Sequence, residues 1–220
     1  MATRSQVRLV VFDLDGTLID SRRDLAESAN ALLHENGCAP HSEEAIGRMV
    51  GEGAATLVAR AFASAGATPP PGALARFLEI YDARLLEHTR PYEGVETLLR
   101  ELEPTCRLAV LTNKPLGATR EILQGLGLSG FFGGGVLGGD GPLPRKPDPA
   151  GLLQLMHQAG ASGEQALLVG DSLVDWQTAK AAGAGACMAA YGFGFESFPR
   201  EQLEPSDVVI RSPLELTAHL

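Results

Sequence analysis

Two apolar runs in this 220-residue chain end in paired aspartates. The first reads Val10-Val11-Phe12-Asp13-Leu14-Asp15-Gly16-Thr17-Leu18, and the second Val169-Gly170-Asp171-Ser172-Leu173-Val174-Asp175. Residues spaced i, i+2 along a strand share a face, so Asp13 and Asp15 project to the same side. Carboxylates that close repel each other unless a cation or a shared proton offsets them. With no lysine nearby in sequence, a hard divalent cation with oxygen ligands, such as Mg²⁺, is the natural partner. A turn or capping pair after a strand is the plainer alternative for two aspartates alone. Asp171 is placed to complete a metal shell, and Asp175 to orient that shell or Lys146. Thr112-Asn113 follow the apolar run 108–111 and offer a hydroxyl and an amide either to an oxyanion or to a helix N-terminus. Arg145-Lys146-Pro147-Asp148-Pro149 sets a cation just before a helix start, where Lys146 either balances a phosphate and the carboxylates or is a solvated loop lysine. A carboxylate nucleophile, oxyanion donors, a cation and a metal ligand are together what phosphoryl transfer to an enzyme group requires.

Short aliphatic and β-branched runs at 7–12, 107–111, 135–137, 166–169, 185–189 and 208–210 supply the strands that must position these residues. They alternate with helical stretches at 95–102, 117–126, 149–158 and 174–182, with Gly127, Gly160 and Gly183 where helices should stop. This alternation predicts a parallel sheet covered on both faces, whose ligands gather at the carboxyl ends of the strands. Between the first run and the second the alternation is lost. Apolar residues there recur at three and four, as in Leu25–Ala29–Leu32–Leu33 and Leu74–Phe77–Leu78–Tyr81–Leu85. About seventy residues of helix are too many for an ordinary connection, so the stretch reads as a separate small domain. The expectation is an α/β Rossmann-like parallel-sheet core at residues 1–19 and 91–220, with an inserted all-helical domain at 20–90.

A net charge of −9 and the lack of any Lys/Arg run argue against a nucleic-acid partner. The three cysteines show no metal-ligand spacing and read as buried or free thiols of a reducing compartment. The first residues carry one early Arg and then an apolar run too short to cross a membrane, with no cleavage site after it. A cytoplasmic protein acting on a small phosphorylated metabolite, without membrane or nucleic acid, is expected, as monomer or homodimer.

The order DLDGT, TN, KP and GDSxxD, running the length of the chain, resembles the haloacid dehalogenase superfamily, and the helical insert resembles that superfamily's C1-type cap. Val50-Gly51-Glu52-Gly53-Ala54, Leu137-Gly138-Gly139-Asp140 and Tyr191-Gly192-Phe193-Gly194 further resemble its phosphoglycolate phosphatase branch. The resemblance implies that Asp13 is a nucleophile that becomes an aspartyl-phosphate, and that Asp15 serves as acid and then base. It implies Mg²⁺ held by Asp13, the Asp15 backbone carbonyl and Asp171, with Asp175 behind them. Thr112, Asn113 and Lys146 would hold the phosphoryl oxygens. Asp15 is the residue that the dehalogenases lack. A phosphonatase would need a cap lysine, and the three lysines here are Lys114, Lys146 and Lys180. A β-phosphoglucomutase-like activity would want a histidine soon after the first motif, where Arg22-Arg23 stand instead.

Substrate choice falls to the cap, because the core motifs handle only phosphate. Gly51–Glu52–Gly53 is either a turn whose N–H groups meet a substrate carboxylate, with Glu52 turned outward, or an ordinary break between helices. Arg22, Arg48 and Arg60 are either anion partners or solvated. The expected reaction is hydrolysis of 2-phosphoglycolate to glycolate and phosphate. The same chemistry on a phosphosugar such as N-acetylmuramate 6-phosphate, on a nucleotide or on pyrophosphate is the alternative, ahead of a mutase or a non-catalytic binding protein.

Overall fold

The computed structural model describes residues 7–220; residues 1–6, with the early Arg and the first residues of the expected core, lie outside the described residues. Six parallel strands form one sheet: β1 (Leu9–Phe12), β4 (Arg107–Leu111), β5 (Val136–Leu137), β6 (Ala166–Gly170), β7 (Gly185–Ala189) and β8 (Val208–Ile210). Their order is β5-β4-β1-β6-β7-β8. The chain leaves β1 for β4 and β5 on one side and for β6, β7 and β8 on the other, so the topology switches at β1. The helices α5 (Val95–Leu102), α6 (Leu116–Gly125), α7 (Ala150–Ala159) and α8 (Leu173–Ala181) flank the sheet. The six expected strands and four expected core helices all form, with ends displaced by two residues at most.

β1 is buried along its whole length because both of its faces are covered. Val10 and Phe12 pack with Leu99, Ile122 and Leu123 on one side. Leu9 and Val11 pack with Leu152, Leu155 and Ala179 on the other. A strand that apolar on both faces tolerates carboxylates only beyond its end, which is where Asp13 and Asp15 stand.

After β1 a two-residue strand β2 (Ile19–Asp20) pairs antiparallel with β3 (Arg90–Pro91). The sequence pattern was too short to reveal this ribbon. Between its strands lie α1 (Arg22–Glu35), α2 (Glu43–Gly47), α3 (Ala54–Ser64) and α4 (Ala73–Asp82). α1 packs against the other three. Leu25, Phe62 and Phe77 from these helices belong to the same apolar cluster as Val10 and Phe12 of the sheet.

The two ends of the helical insert are fastened by Asp24 on α1. This fully buried carboxylate accepts the backbone N–H of His88 at 2.9 Å and of Thr89 at 2.8 Å, and the Thr89 hydroxyl at 2.7 Å. Three satisfied donors make a buried carboxylate tolerable, and removing it strands all three. The Asp24→Ala variant should therefore lose about 2–4 kcal/mol of stability, read as a lower midpoint in denaturant unfolding.

Candidate active site

Every candidate residue of the core falls at the carboxyl edge of the sheet. Asp13 and Asp15 follow β1, Thr112 and Asn113 follow β4, Lys146 lies between β5 and α7, and Asp171 follows β6. Parallel neighbours bring these ends together: Phe12 is in register with Val110 on one side and Val169 on the other. All are at most 9 % exposed, so they interact in a medium that screens charge poorly.

Lys146 Nζ lies 2.6 Å from Asp175 Oδ1, to which it donates, and 2.7 Å from Asp13 Oδ1 as an ion pair. Asp13 Oδ1 itself is buried and receives no hydrogen bond of acceptable angle. Asp175 is fully committed: its other oxygen accepts the Ser172 N–H at 3.1 Å and the Ser172 hydroxyl at 2.6 Å, closing a capping box at the start of α8. Its work is to hold Lys146 and the helix start.

Asp171 is held by backbone. Gly194 N donates to Asp171 Oδ2 at 2.7 Å. Gly16, at φ +86°, and Gly192 press so close that a Cβ at either would lie 1.9 Å and 2.4 Å from Asp171 atoms. Tyr191 anchors that loop by donating its hydroxyl to Thr17 O at 3.0 Å. The Tyr191–Gly194 stretch is thus a wall against which a carboxylate is seated.

One oxygen from each of Asp13, Asp171 and Asp175 lies within 4.8 Å of the others. Burial pushes the Asp13 carboxyl up to about 6, with Lys146 drawing it down and Asp175 and Asp15 adding to the rise. Burial likewise lifts Asp171 well above the ordinary carboxylate range, reinforced by Asp175 and Asp13 and opposed by the Gly194 N–H and Lys146. Burial lowers the Lys146 ammonium, but Asp13 and Asp175 outweigh it and hold the group above an ordinary lysine. Burial above all, with the neighbouring carboxylates, disposes both acids toward neutrality. Two buried carboxylates of raised proton affinity side by side are a donor set that a hard divalent cation satisfies.

Two residues that sequence reasoning passed over complete the site. Lys114 is 7 % exposed and donates to Asp15 Oδ1 and Oδ2, both at 2.9 Å. Ser21 Oγ donates to Asp15 Oδ1 at 2.5 Å. The signal for Lys114 was its place in Thr112-Asn113-Lys114, directly after a strand end. Ser21 gave none, because it reaches Asp15 only through the turn 15–20.

Thr112 Oγ1 accepts the Lys114 N–H at 3.2 Å and keeps its own proton uncommitted. Asn113 departs from expectation. Its amide donates to Gly51 O at 2.9 Å and to Lys146 O at 3.0 Å, so both side-chain protons are spent on carbonyls and neither is free for a phosphoryl oxygen. The side chain instead ties the 50–53 turn to the Lys146 loop. Gly51 and Gly53, at φ +119° and +90°, border the cavity above Asp13 and Asp15. Glu52 turns away and pairs with Arg60. Arg22 is paired with Asp20, and Arg48 with Glu196 at 3.5 Å, so the three candidate arginines of the helical insert are engaged outside the cavity.

Comparison with known proteins agrees with this geometry. A family model described as haloacid dehalogenase-like hydrolase matches residues 10–189. The chain is 45 % identical to a phosphoglycolate phosphatase of Rhodospirillum rubrum, over 86 % of this chain and 82 % of the relative. It is 35 % identical to a phosphoglycolate phosphatase of Agrobacterium fabrum, over 100 % of this chain and 95 % of that one. Among solved structures, a predicted phosphoglycolate phosphatase from Haemophilus somnus superposes with a TM-score of 0.89 at 29 % identity, covering 99 % of both chains.

Since Gly192 has no room for a Cβ (2.1 Å from Gly16 O), Gly192→Ala must displace the backbone around Asp171. Its expected cost is about 1–3 kcal/mol of stability, measured as a fall in Tm.

Proposed function

The chain belongs to the haloacid dehalogenase-like hydrolase family, and we propose that it is a Mg²⁺-dependent phosphatase that hydrolyses 2-phosphoglycolate to glycolate and phosphate. The observation that carries this reading is the buried Asp13 carboxylate, 2.7 Å from the Lys146 ammonium and beside a second buried carboxylate of raised pKa. That carboxylate is desolvated, as a nucleophile in a closed site should be.

Asp13 attacks phosphorus, and the ester oxygen leaves with a proton from Asp15, giving glycolate and a phosphorylated Asp13. Asp15 then takes a proton from water, which attacks the same phosphorus and releases inorganic phosphate with Asp13 regenerated. Lys114 and Ser21 fix Asp15 for both transfers. Lys146 neutralises charge on the phosphoryl group and is held in place by Asp175. Thr112 donates its free hydroxyl proton to a phosphoryl oxygen. The Asp13 and Asp171 carboxylates with the Asp15 carbonyl would hold Mg²⁺, which supplies the charge compensation these acids lack. Residues 20–90 act as a cap domain that excludes water while the phosphorylated aspartate exists. The three free cysteines support a cytoplasmic setting.

Two measurements test the reading. Purified protein should release phosphate from 2-phosphoglycolate with Mg²⁺ and lose the activity in EDTA. Asp13→Asn should lower kcat by at least about 10³-fold, and wild-type turnover in that variant would refute the nucleophile. The second measurement is thermal. Between the ordinary value of 3.8 and about 6, folded metal-free protein keeps a proton on Asp13 that the unfolded chain has released. Stability of the metal-free form therefore falls as pH rises through that window. Mg²⁺ binds the ionised carboxylate and must displace this proton at low pH. Mg²⁺ should raise Tm clearly at about pH 7.5 and by much less at about pH 5.

A further inference from the structure

Tyr81 on α4 is 3 % exposed, and its hydroxyl has no hydrogen-bond partner of good geometry, although the Lys114 ammonium lies near enough to interact with it. The side chain lines the cavity above Asp13 and Asp15, as Lys114 does. Its ring stacks on Phe77 with centroids 5.9 Å apart, so packing fixes the ring and leaves the hydroxyl unexplained. A phenylalanine would bury the same ring without the cost of an unpaired hydroxyl.

The Lys114 ammonium stands 4.6 Å from the centre of that ring. Two of its protons go to the Asp15 oxygens, and the third is left for the nearby Tyr81 hydroxyl or a ligand. A charged donor from the core and a neutral donor from the helical insert thus meet at one cavity. The surrounding walls are apolar, with Leu25, Val50, Leu57 and Leu78. Lys114 is the one cation lining the cavity among the described residues, since Arg22, Arg48 and Arg60 pair elsewhere.

We infer that Tyr81 Oη and Lys114 Nζ together bind a carboxylate of the substrate, remote from the phosphate, and so select small phosphorylated acids. This rests on the phosphatase reading above and deepens it. Two donors, one of them cationic, match the two oxygens of a carboxylate, and the apolar walls accept no larger polar group without leaving it unpaired. An uncharged ester leaves the Tyr81 hydroxyl as it stands, buried and unsatisfied. Because Tyr81 comes from α4 and Lys114 from the segment after β4, the pair exists only when the two parts of the molecule are packed as seen here.

The test compares 2-phosphoglycolate with 2-hydroxyethyl phosphate, in which a hydroxymethyl group replaces the carboxylate, by kcat/KM of the Mg²⁺-loaded enzyme. In Tyr81→Phe the preference for the acid should fall about tenfold, through KM for 2-phosphoglycolate. Its metal-free Tm should stay close to that of wild type, because the hydroxyl makes no hydrogen bond of good geometry. Lys114→Met should slow both esters through Asp15 and again reduce the preference. A preference within twofold of wild type in Tyr81→Phe, or equal slowing of both esters in Lys114→Met, overturns the inference. If wild type hydrolyses both esters without preferring the acid, the phosphatase stands and this subsite falls. If it hydrolyses neither, the assigned activity falls and takes the subsite with it.

Discussion

Four aspartates buried at the ends of adjacent parallel strands, with two lysines among them, impose the constraint that the rest of the molecule answers. Asp13, Asp15, Asp171 and Asp175 carry more charge than Lys114 and Lys146 neutralise, in surroundings where charge is poorly screened. The molecule divides the burden. Asp15 is matched with Lys114, and Asp175 with Lys146 and the start of α8. Burial raises the proton affinities of Asp13 and Asp171, and the neighbouring carboxylates add to the rise. The same imbalance that penalises the metal-free fold makes these two carboxylates good ligands for a hard cation. Stability and function are opposed at this one place, as they often are where charge is preorganised for chemistry.

That convergence also explains where side chains are forbidden. Gly16 and Gly192 bring backbone against the Asp171 carboxylate, and Gly194 donates to it. Away from those contacts the design is ordinary: apolar strands covered on both faces, and helices closing over them. The helical insert is joined to this core through Asp24 at its root and through Asn113 at the seam. Asn113 links the 50–53 turn with the Lys146 loop, so a residue expected to touch phosphate instead couples two of the walls around it. The cavity between them is polar at its floor and apolar on its upper walls.

Much of this could be read from the chain alone. Apolar runs of strand length alternating with helical stretches dictated a parallel sheet, and a parallel sheet brings strand ends to one edge. Asp13, Thr112, Lys146 and Asp171 each follow such a run or sit before a helix, so their meeting followed from topology. What could not be read were partnerships made across the chain by side chains of no fixed spacing. Lys114 reaches Asp15 over 99 residues, Asn113 reaches Gly51 over 62, and Asp24 reaches Thr89 over 65. No periodicity encodes such pairs, because they depend on how the helical insert settles against the sheet. Tyr81 is the sharpest instance: in sequence it is one more apolar position of an amphipathic helix, and only packing left its hydroxyl buried beside the cavity without a hydrogen bond of good geometry. The sequence by itself determined the nucleophile candidate and the sheet that presents it, since both depend on local pattern and strand order. The tertiary structure decided which groups neutralise, tether and surround that carboxylate, since burial and charge balance are properties of neighbours in space.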